Sequence, residues 1–303
     1  MPTIAFQRLT RPPRFAIICT FRVRVRLPRT GETAISLRVL VLGSGSSGNS
    51  TLVESSTTRV LVDAGLSRKE TLRRLAALGA SVDRVDAILI SHEHSDHITG
   101  LPGLSRQWRA PVFLTPQTRA GLVAGLAEGV AEKIGRVETI HAGQRFMIGD
   151  IEICAFSIPH DAADPVGYSL RVNGSKVAIV TDLGFLPAHV QQHLREADCL
   201  ILESNHDVEM LKVGPYPWHI KQRVMSRTGH LSNHTVGEFL SDGEAFDARA
   251  RWLVLAHLSE NNNNPHVARL CAEQALCRRP VECAFRGEVH IATQLTPLGP
   301  FDL

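Results

Sequence analysis

The chain has 303 residues, enough to bury a substantial core, and its 44% hydrophobic and 21% charged content is that of an ordinary globular protein rather than a disordered or membrane-embedded one. Its net charge of +3 permits a polyanionic partner without demanding one, while fourteen histidines point toward a metal site. The six cysteines, Cys19, Cys154, Cys199, Cys271, Cys277 and Cys283, form no C-x-x-C pair and are scattered, so they read as reduced thiols of a cytoplasmic protein.

Residues 1–36 stand apart from the rest: Arg8, Arg11, Arg14, Arg22, Arg24, Arg26 and Arg29 crowd there against Glu32 alone. The apolar stretch at 15–21 is broken by Arg22 and lacks a small-residue cleavage site, which argues against a secretory signal. The segment reads as an appended basic extension, a disordered arm or a misassigned start ahead of an organelle transit peptide. Residues 37–303 carry no low-complexity linker and are expected to form one domain.

That body opens with a strand over 37–42, a Gly-Ser-rich turn from Gly43 to Asn49, strands over 50–54 and 59–63, and a helix over 67–78 with leucines at helical spacing. An apolar strand over 86–91 runs straight into a histidine cluster, after which a helix reaches Trp108. Strands are predicted over 112–114, 137–141, 145–148, 151–157, 166–172 and 176–181, with helices over 116–126 and 187–196. Strands over 198–203 and 252–257 and helices over 216–228, 233–240 and 265–277 complete the chain. Meandering strands followed by strand-helix alternation imply an α/β protein of two face-to-face sheets covered by helices.

The chemistry concentrates in His92-Glu93-His94-Ser95-Asp96-His97, an H-x-H-x-D-H run directly after a buried strand. Imidazole nitrogens and a carboxylate suit zinc and related divalent ions, and a loop could fold them round two neighbouring metals where a helix would point several apart. Downstream, His160, Asp182 and His257 each follow an apolar strand. Singly each could be a cap or a surface residue; in order with the cluster they make a seven-ligand set.

This ordered set resembles the metallo-β-lactamase superfamily, whose fold is a four-layer αββα sandwich binding two metals, over nearly everything after residue 36. The resemblance implies that His92, His94 and His160 hold one metal, that Asp96, His97 and His257 hold the other, and that Asp182 bridges them. The segment around Asp63 is similar to the superfamily's first motif, whose aspartate supports the loop. Gly43–Asn49, Leu202-Glu203-Ser204-Asn205-His206-Asp207, Lys221-Gln222-Arg223-Val224, Gly229-His230-Leu231-Ser232-Asn233 and His257-Leu258-Ser259 are similar to the YycJ or WalJ branch, linked with 5′-to-3′ DNA exonuclease activity.

The resemblance therefore implies a phosphodiester hydrolase with two divalent ions, zinc or manganese, and DNA as substrate, acting in the cytoplasm without a membrane. A metal-bridging hydroxide would attack, oriented by Asp96, with His230 as general acid and Glu203 orienting it, as in the similarly placed pair of RNase Z. Lys221 and Arg223 are candidates for phosphate contact, and the Gly-Ser loop, with Ser47 and Asn49, for backbone approach to substrate. A small-molecule phosphodiesterase is the nearest alternative; a lactam or thioester hydrolase of the same fold is less compatible, because an aspartate stands at 182 and too little chain remains for a helical substrate domain.

Overall fold

The computed structural model describes residues 37–80, 82–125, 129 and 131–303; the extension expected at 1–36, with Cys19, lies outside them. In chain order the elements are β1 (Arg38–Gly43), β2 (Ser50–Glu54), β3 (Arg59–Val62), α1 (Arg68–Ala77), β4 (Ala87–Leu89), α2 (Ser95–Ile98), α3 (Leu101–Trp108), β5 (Val112–Leu114) and α4 (Pro116–Gly125). There follow β6 (Val137–Thr139), β7 (Arg145–Ile148), β8 (Ile151–Ser157), β9 (Val166–Val172), β10 (Ser175–Val180), α5 (Ala188–Leu194) and β11 (Cys199–Glu203). The last are α6 (Val208–Val213), α7 (Trp218–Val224), α8 (Asn233–Ser241), β12 (Trp252–Ala256), α9 (Pro265–Cys277), β13 (Glu288–Ile291) and β14 (Leu298–Asp302).

Among the described residues the strands form two seven-stranded sheets, ordered β14-β1-β2-β3-β4-β5-β6 and β13-β12-β11-β10-β9-β8-β7. Alternation along each strand sorts side chains into layers. Val39, Val41, Val60 and Val62 join Val177, Ile179, Cys199 and Ile201 in the core between the sheets. Leu40, Leu42 and Leu61 instead face the layer of α1, α3 and α4, and Ala178, Val180, Leu200 and Leu202 face that of α5, α8 and α9. Strands apolar on both faces are what a sheet covered on both sides requires, and each fully buried Val or Leu contributes about 1.5–3 kcal/mol relative to exposure. The result is the expected αββα sandwich.

Strand direction then fixes where the chemistry can sit. β10, β11 and β12 are parallel, and β8 and β10 both run antiparallel to β9, so all four end at one edge of their sheet. β3 and β4 are likewise parallel. Asp63, Ser91, His160, Asp182, Glu203 and His257 stand at or just beyond these carboxyl ends.

The sequence reading differs from the structure in three places. The helix expected to run unbroken to Trp108 is two, α2 and α3, separated at Gly100, where any Cβ would lie 1.9 Å from the Leu66 carbonyl oxygen. The helix expected over 216–228 is the shorter α7, preceded by α6, with Pro215 and Pro217 between them. The edge strands β13 and β14 were not anticipated; one is a short mixed run and the other holds Gly299 and Pro300.

Candidate metal centre

The cluster begins where β4 ends. His94, on extended backbone, is the cap on which α2 starts, so Asp96 and His97 project from one helical turn rather than from the open loop expected. Asp63, Asp182 and His257 adopt left-handed backbone at φ 60°, 62° and 54°, each within two residues of a strand's end. Such conformations are unfavourable for residues with a Cβ and concentrate at functional sites.

Among the described residues three groups of donor atoms result, the third, Asp182, Glu203, His230 and His257, overlapping the second. One atom each from His92, His94 and His160 lie within 4.8 Å of one another, as do one each from Asp96, His97, Asp182 and His257. His160 Nε2 is 3.3 Å from His94 Nδ1. In the second group, His97 Nε2 is 3.4 Å from Asp96 Oδ2 and 3.2 Å from Asp182 Oδ2, and His257 Nε2 is 3.5 Å from Asp96 Oδ2.

The far side of each ring is held. His97 Nδ1 donates to Asp63 Oδ2 at 2.9 Å, and Asp63 also accepts from the Ser91 amide at 2.8 Å and the Ser91 hydroxyl. His257 Nδ1 donates to Glu203 Oε1 at 2.9 Å. His160 Nδ1 donates to the Gly229 carbonyl at 3.3 Å. A carboxylate or carbonyl can only accept, so these bonds fix the tautomer and turn Nε2 of each ring into the shared space.

Several inward atoms have no hydrogen-bond partner. Among the described residues, His92 Nε2, His257 Nε2 and Asp182 Oδ2 are buried without a hydrogen bond. Leaving such groups unpaired costs about 1–3 kcal/mol each, more for a charged one, so three converging on one space mark a site built for cations. Imidazoles and carboxylates in this ratio fit divalent metal ions.

Electrostatics agrees with that fit. Burial keeps the His92 ring neutral, lowering its pKa well below the usual histidine value. Burial also opposes charge on His97, but Asp63, Asp182 and Asp96 outweigh it and raise its pKa well above the ordinary value. Asp182 shows the converse: burial pushes up, but His257 and His97 hold it well below the normal carboxylate range. The pocket is negative enough to bind a proton tightly where a cation would sit.

Glu203 organises a second feature. Its Oε1 accepts from His230 Nδ1 at 2.8 Å as well as from His257, while Oε2 accepts from the Leu183 and Leu231 amides at 3.1 and 3.0 Å. Burial opposes its ionisation, but His230 and its other hydrogen bonds pull the pKa down to about 2. His230 keeps a fifth of its side chain exposed, and its ring centre lies 5.3 Å from those of both His160 and His257. Burial lowers its pKa, yet Glu203 raises it by more, so the ring holds its proton more tightly than a free histidine.

The comparisons with known proteins decide the family. The family described as "Beta-lactamase superfamily domain" matches residues 58–258. The chain is 35% identical over 261 residues to Exodeoxyribonuclease YycJ of Bacillus anthracis, covering 84% of this chain and 95% of that protein. It is also 35% identical over 236 residues to Exodeoxyribonuclease WalJ of Streptococcus pneumoniae D39, covering 78% and 87%. The chain belongs to the YycJ/WalJ branch of the metallo-β-lactamase superfamily. In fold it is similar to the metallo-β-lactamase fold protein YhfI from Bacillus subtilis, at a TM-score of 0.64 and 19% identity, covering 87% of this chain and 99% of that one.

As a YycJ/WalJ-type protein it is a metal-dependent hydrolase. Around this centre the residues expected to meet substrate fall in mixed places. Asn49 is nearly buried; its Nδ2 donates to Asp96 Oδ2 at 3.0 Å and lies 3.0 Å from His97 Nε2, so it positions ligand-type side chains. The Ser47 amide donates to Gln294 Oε1 at 2.9 Å, occupying a donor expected to be open. Lys221 turns from the rim, with Nζ donating to the Lys212 carbonyl at 2.7 Å, because the α6–α7 link brings that carbonyl beneath it. Arg223 pairs with Asp161, next to His160.

Other supports were not singled out from sequence. Glu93 Oε1 accepts from the Ala163 amide at 2.8 Å, tying the cluster to the loop after His160. Ser44 Oγ accepts from the His257 amide at 2.8 Å, so the Gly-Ser loop braces the last histidine of the set. Both lie in motifs, but residue type alone does not reveal the bond.

Proposed function

We propose that this YycJ/WalJ-type chain is a DNA exonuclease that removes nucleotides from the 5′ end, with two divalent ions, zinc or manganese, as cofactors. His92, His94 and His160 would hold one ion, Asp96, His97 and His257 the other, with Asp182 between them. When bound, the ions activate water near neutral pH and neutralise charge on the phosphate. The protein's own part follows from Glu203 and His230. Glu203 accepts from Nδ1 of the His230 ring, which leaves the second N–H of a protonated ring free to protonate a departing sugar oxygen.

The carrying observation is that one carboxylate oxygen, Glu203 Oε1, accepts from both His230 and His257. It thereby sets a proton donor at a fixed offset from the centre, as an alkoxide leaving group requires. The sequence identity to two exodeoxyribonucleases supports DNA as the substrate. Among the described residues no helix is long and apolar enough to cross a membrane, and action on cytoplasmic DNA accords with the scattered thiols. Residues 37–303 would act as one hydrolase domain.

The test incubates the purified protein, loaded with zinc or manganese, with end-labelled single- and double-stranded DNA beside a chromogenic phosphodiester and an Asp96→Ala, His97→Ala control. Stepwise shortening from the 5′ end, absent in the control, is the expected result. Cleavage of the small ester alone would replace this reading by a small-molecule phosphodiesterase.

A further inference from the structure

We propose that Arg227, held over the ring of Phe185, grips a phosphate of the nucleic acid chain next to the phosphate being cleaved. The inference rests on the nuclease reading above for the chain that occupies the site. The Arg227 guanidinium carbon lies 4.0 Å from the centre of the Phe185 ring, with the arginine exposed and the phenylalanine half-buried.

The metal centre itself fixes where this pair stands. Phe185 follows Asp182 by three residues and Arg227 precedes His230 by three, so each Cα lies within about 11 Å of that of a site residue. Arg227 and Thr228 occupy the middle of a tight turn closed by the Gly229 amide, which donates to the Ser226 carbonyl at 3.0 Å. That turn is tied to the centre from two directions. The Thr228 carbonyl accepts from the Asp161 amide at 3.0 Å, and the Gly229 carbonyl accepts from His160 Nδ1 at 3.3 Å. From the Asp182 side, Gly184 packs so closely that a Cβ would fall 2.3 Å from the Arg227 carbonyl carbon, and its amide donates to the Pro159 carbonyl at 3.0 Å. Stacking alone would not put a cation here: Arg251 lies 4.7 Å over Trp252, but at the amino end of β12, on the opposite edge of the sheet.

Arg227 is also the cation left open in its stretch of chain. Of the lysines and arginines along α7 and the turn, Lys221 donates to the Lys212 carbonyl and Arg223 pairs with Asp161. Among the described residues the Arg227 side chain has the Phe185 ring as its partner and no carboxylate. An aromatic face attracts the charge without accepting a conventional hydrogen bond, so donors of the guanidinium fork remain for phosphate oxygens. The ring also restricts the side chain, so less freedom is lost when a phosphate arrives. The reacting phosphate is met by the ligand set and His230, and Arg227 stands outside them, within reach of its neighbour.

The test compares the full-length, metal-loaded parent with Arg227→Gln, Arg227→Lys and Phe185→Leu, on labelled single-stranded DNA of about twenty nucleotides and on a chromogenic ester carrying one phosphate. Arg227→Gln should raise KM for DNA about tenfold, with kcat changed less than about threefold. The dependence of log kcat/KM on log salt should become shallower by about 0.7, the loss of one phosphate contact on a single strand. The loss in kcat/KM on DNA should exceed that on the small ester by about tenfold, because the ester offers no second phosphate. Arg227→Lys should restore the salt slope but only part of the KM, since it keeps the charge and loses the fork. Phe185→Leu should keep the slope and raise KM about threefold.

Binding of the same DNA to the Asp96→Ala protein, followed by fluorescence anisotropy, should likewise weaken about tenfold when Arg227→Gln is added. An unchanged Kd and salt slope would overturn the proposal. So would equal losses on DNA and on the small ester, or lost metal with KM unchanged, either of which would make the turn a brace for His160. The nuclease reading is judged separately, by whether the parent shortens DNA at all; the anisotropy comparison decides the role of Arg227 whichever way that falls.

Discussion

The two halves of the metal centre are built from different materials. The His92, His94 and His160 pocket is built from three imidazoles with one flanking carboxylate, Asp161 Oδ1 at 3.4 Å from His160 Nε2, while the Ser91 hydroxyl lies 3.0 Å from His92 Nδ1 and the Gly229 carbonyl 3.3 Å from His160 Nδ1. The Asp96, His97, Asp182 and His257 pocket contains two carboxylates and rests on two more, Asp63 under His97 and Glu203 under His257. Carboxylate-backed imidazoles are more basic and better oriented ligands. One site is therefore strongly negative and the other less so, and in the proposed arrangement Asp182 would stand between them.

The severest way to break that arrangement is at the tie. Asp182→Ala should lower DNA cleavage by at least about 10⁴-fold, because ions in such sites supply much of the 10⁶-fold or larger acceleration enzymes achieve. Metal analysis after desalting should show depletion of both ions; full retention with full loss of activity would assign Asp182 a different role. His230→Gln should cost about 10²- to 10³-fold in kcat with metal content unchanged. Its pKa is raised by Glu203, so the proton is present below that value and lost above it. Activity should fall on the alkaline side, and this limb should vanish in the glutamine variant.

Glu203 joins the strongly negative pocket to His230, and Glu203→Gln should show both consequences. Metal affinity should drop about 10- to 100-fold, and the alkaline limb should move to lower pH, since burial then dominates the His230 ring. Glu203 itself is pulled from 4.5 to about 2. The stability it contributes in the metal-free protein is present above 4.5 and lost as pH falls toward 2. Melting temperatures of the metal-free protein should decline through that window and decline less in the variant.

The ligand set and the sandwich were legible in the sequence, though the difference in charge between the two sites was not. The H-x-H-x-D-H run and the three later ligand-type residues are marked by their position after apolar strands, and the same strands revealed the sandwich through residues such as Val39, Leu40, Val41 and Leu42. What sequence could not show depends on approach between distant segments. Glu203 was visible as an orienting partner for His230, but its bond to His257 arises only from the parallel pairing of β11 with β12. Lys221 looked like a phosphate ligand until α6 brought the Lys212 carbonyl beneath it.

The gentlest probe of the comparison removes metal without changing a residue. Titrating the loaded protein with a chelator should release ions in two steps, and the first should come from the three-histidine pocket, which has fewer carboxylates around it. The affinity gap is expected to be about tenfold or more, because each additional carboxylate close to a divalent cation contributes Coulomb attraction of roughly a kilocalorie per mole or above even in a watery setting. Cobalt substitution would make the steps visible, since the absorption of each site reports its own ligands. Ser91→Ala, which removes the hydroxyl beside His92 and one of the bonds to Asp63, should narrow the two steps only slightly. If instead the carboxylate-rich pocket emptied first, charge would not be what ranks the two sites, and geometric strain at Asp182 and His257 would become the better explanation.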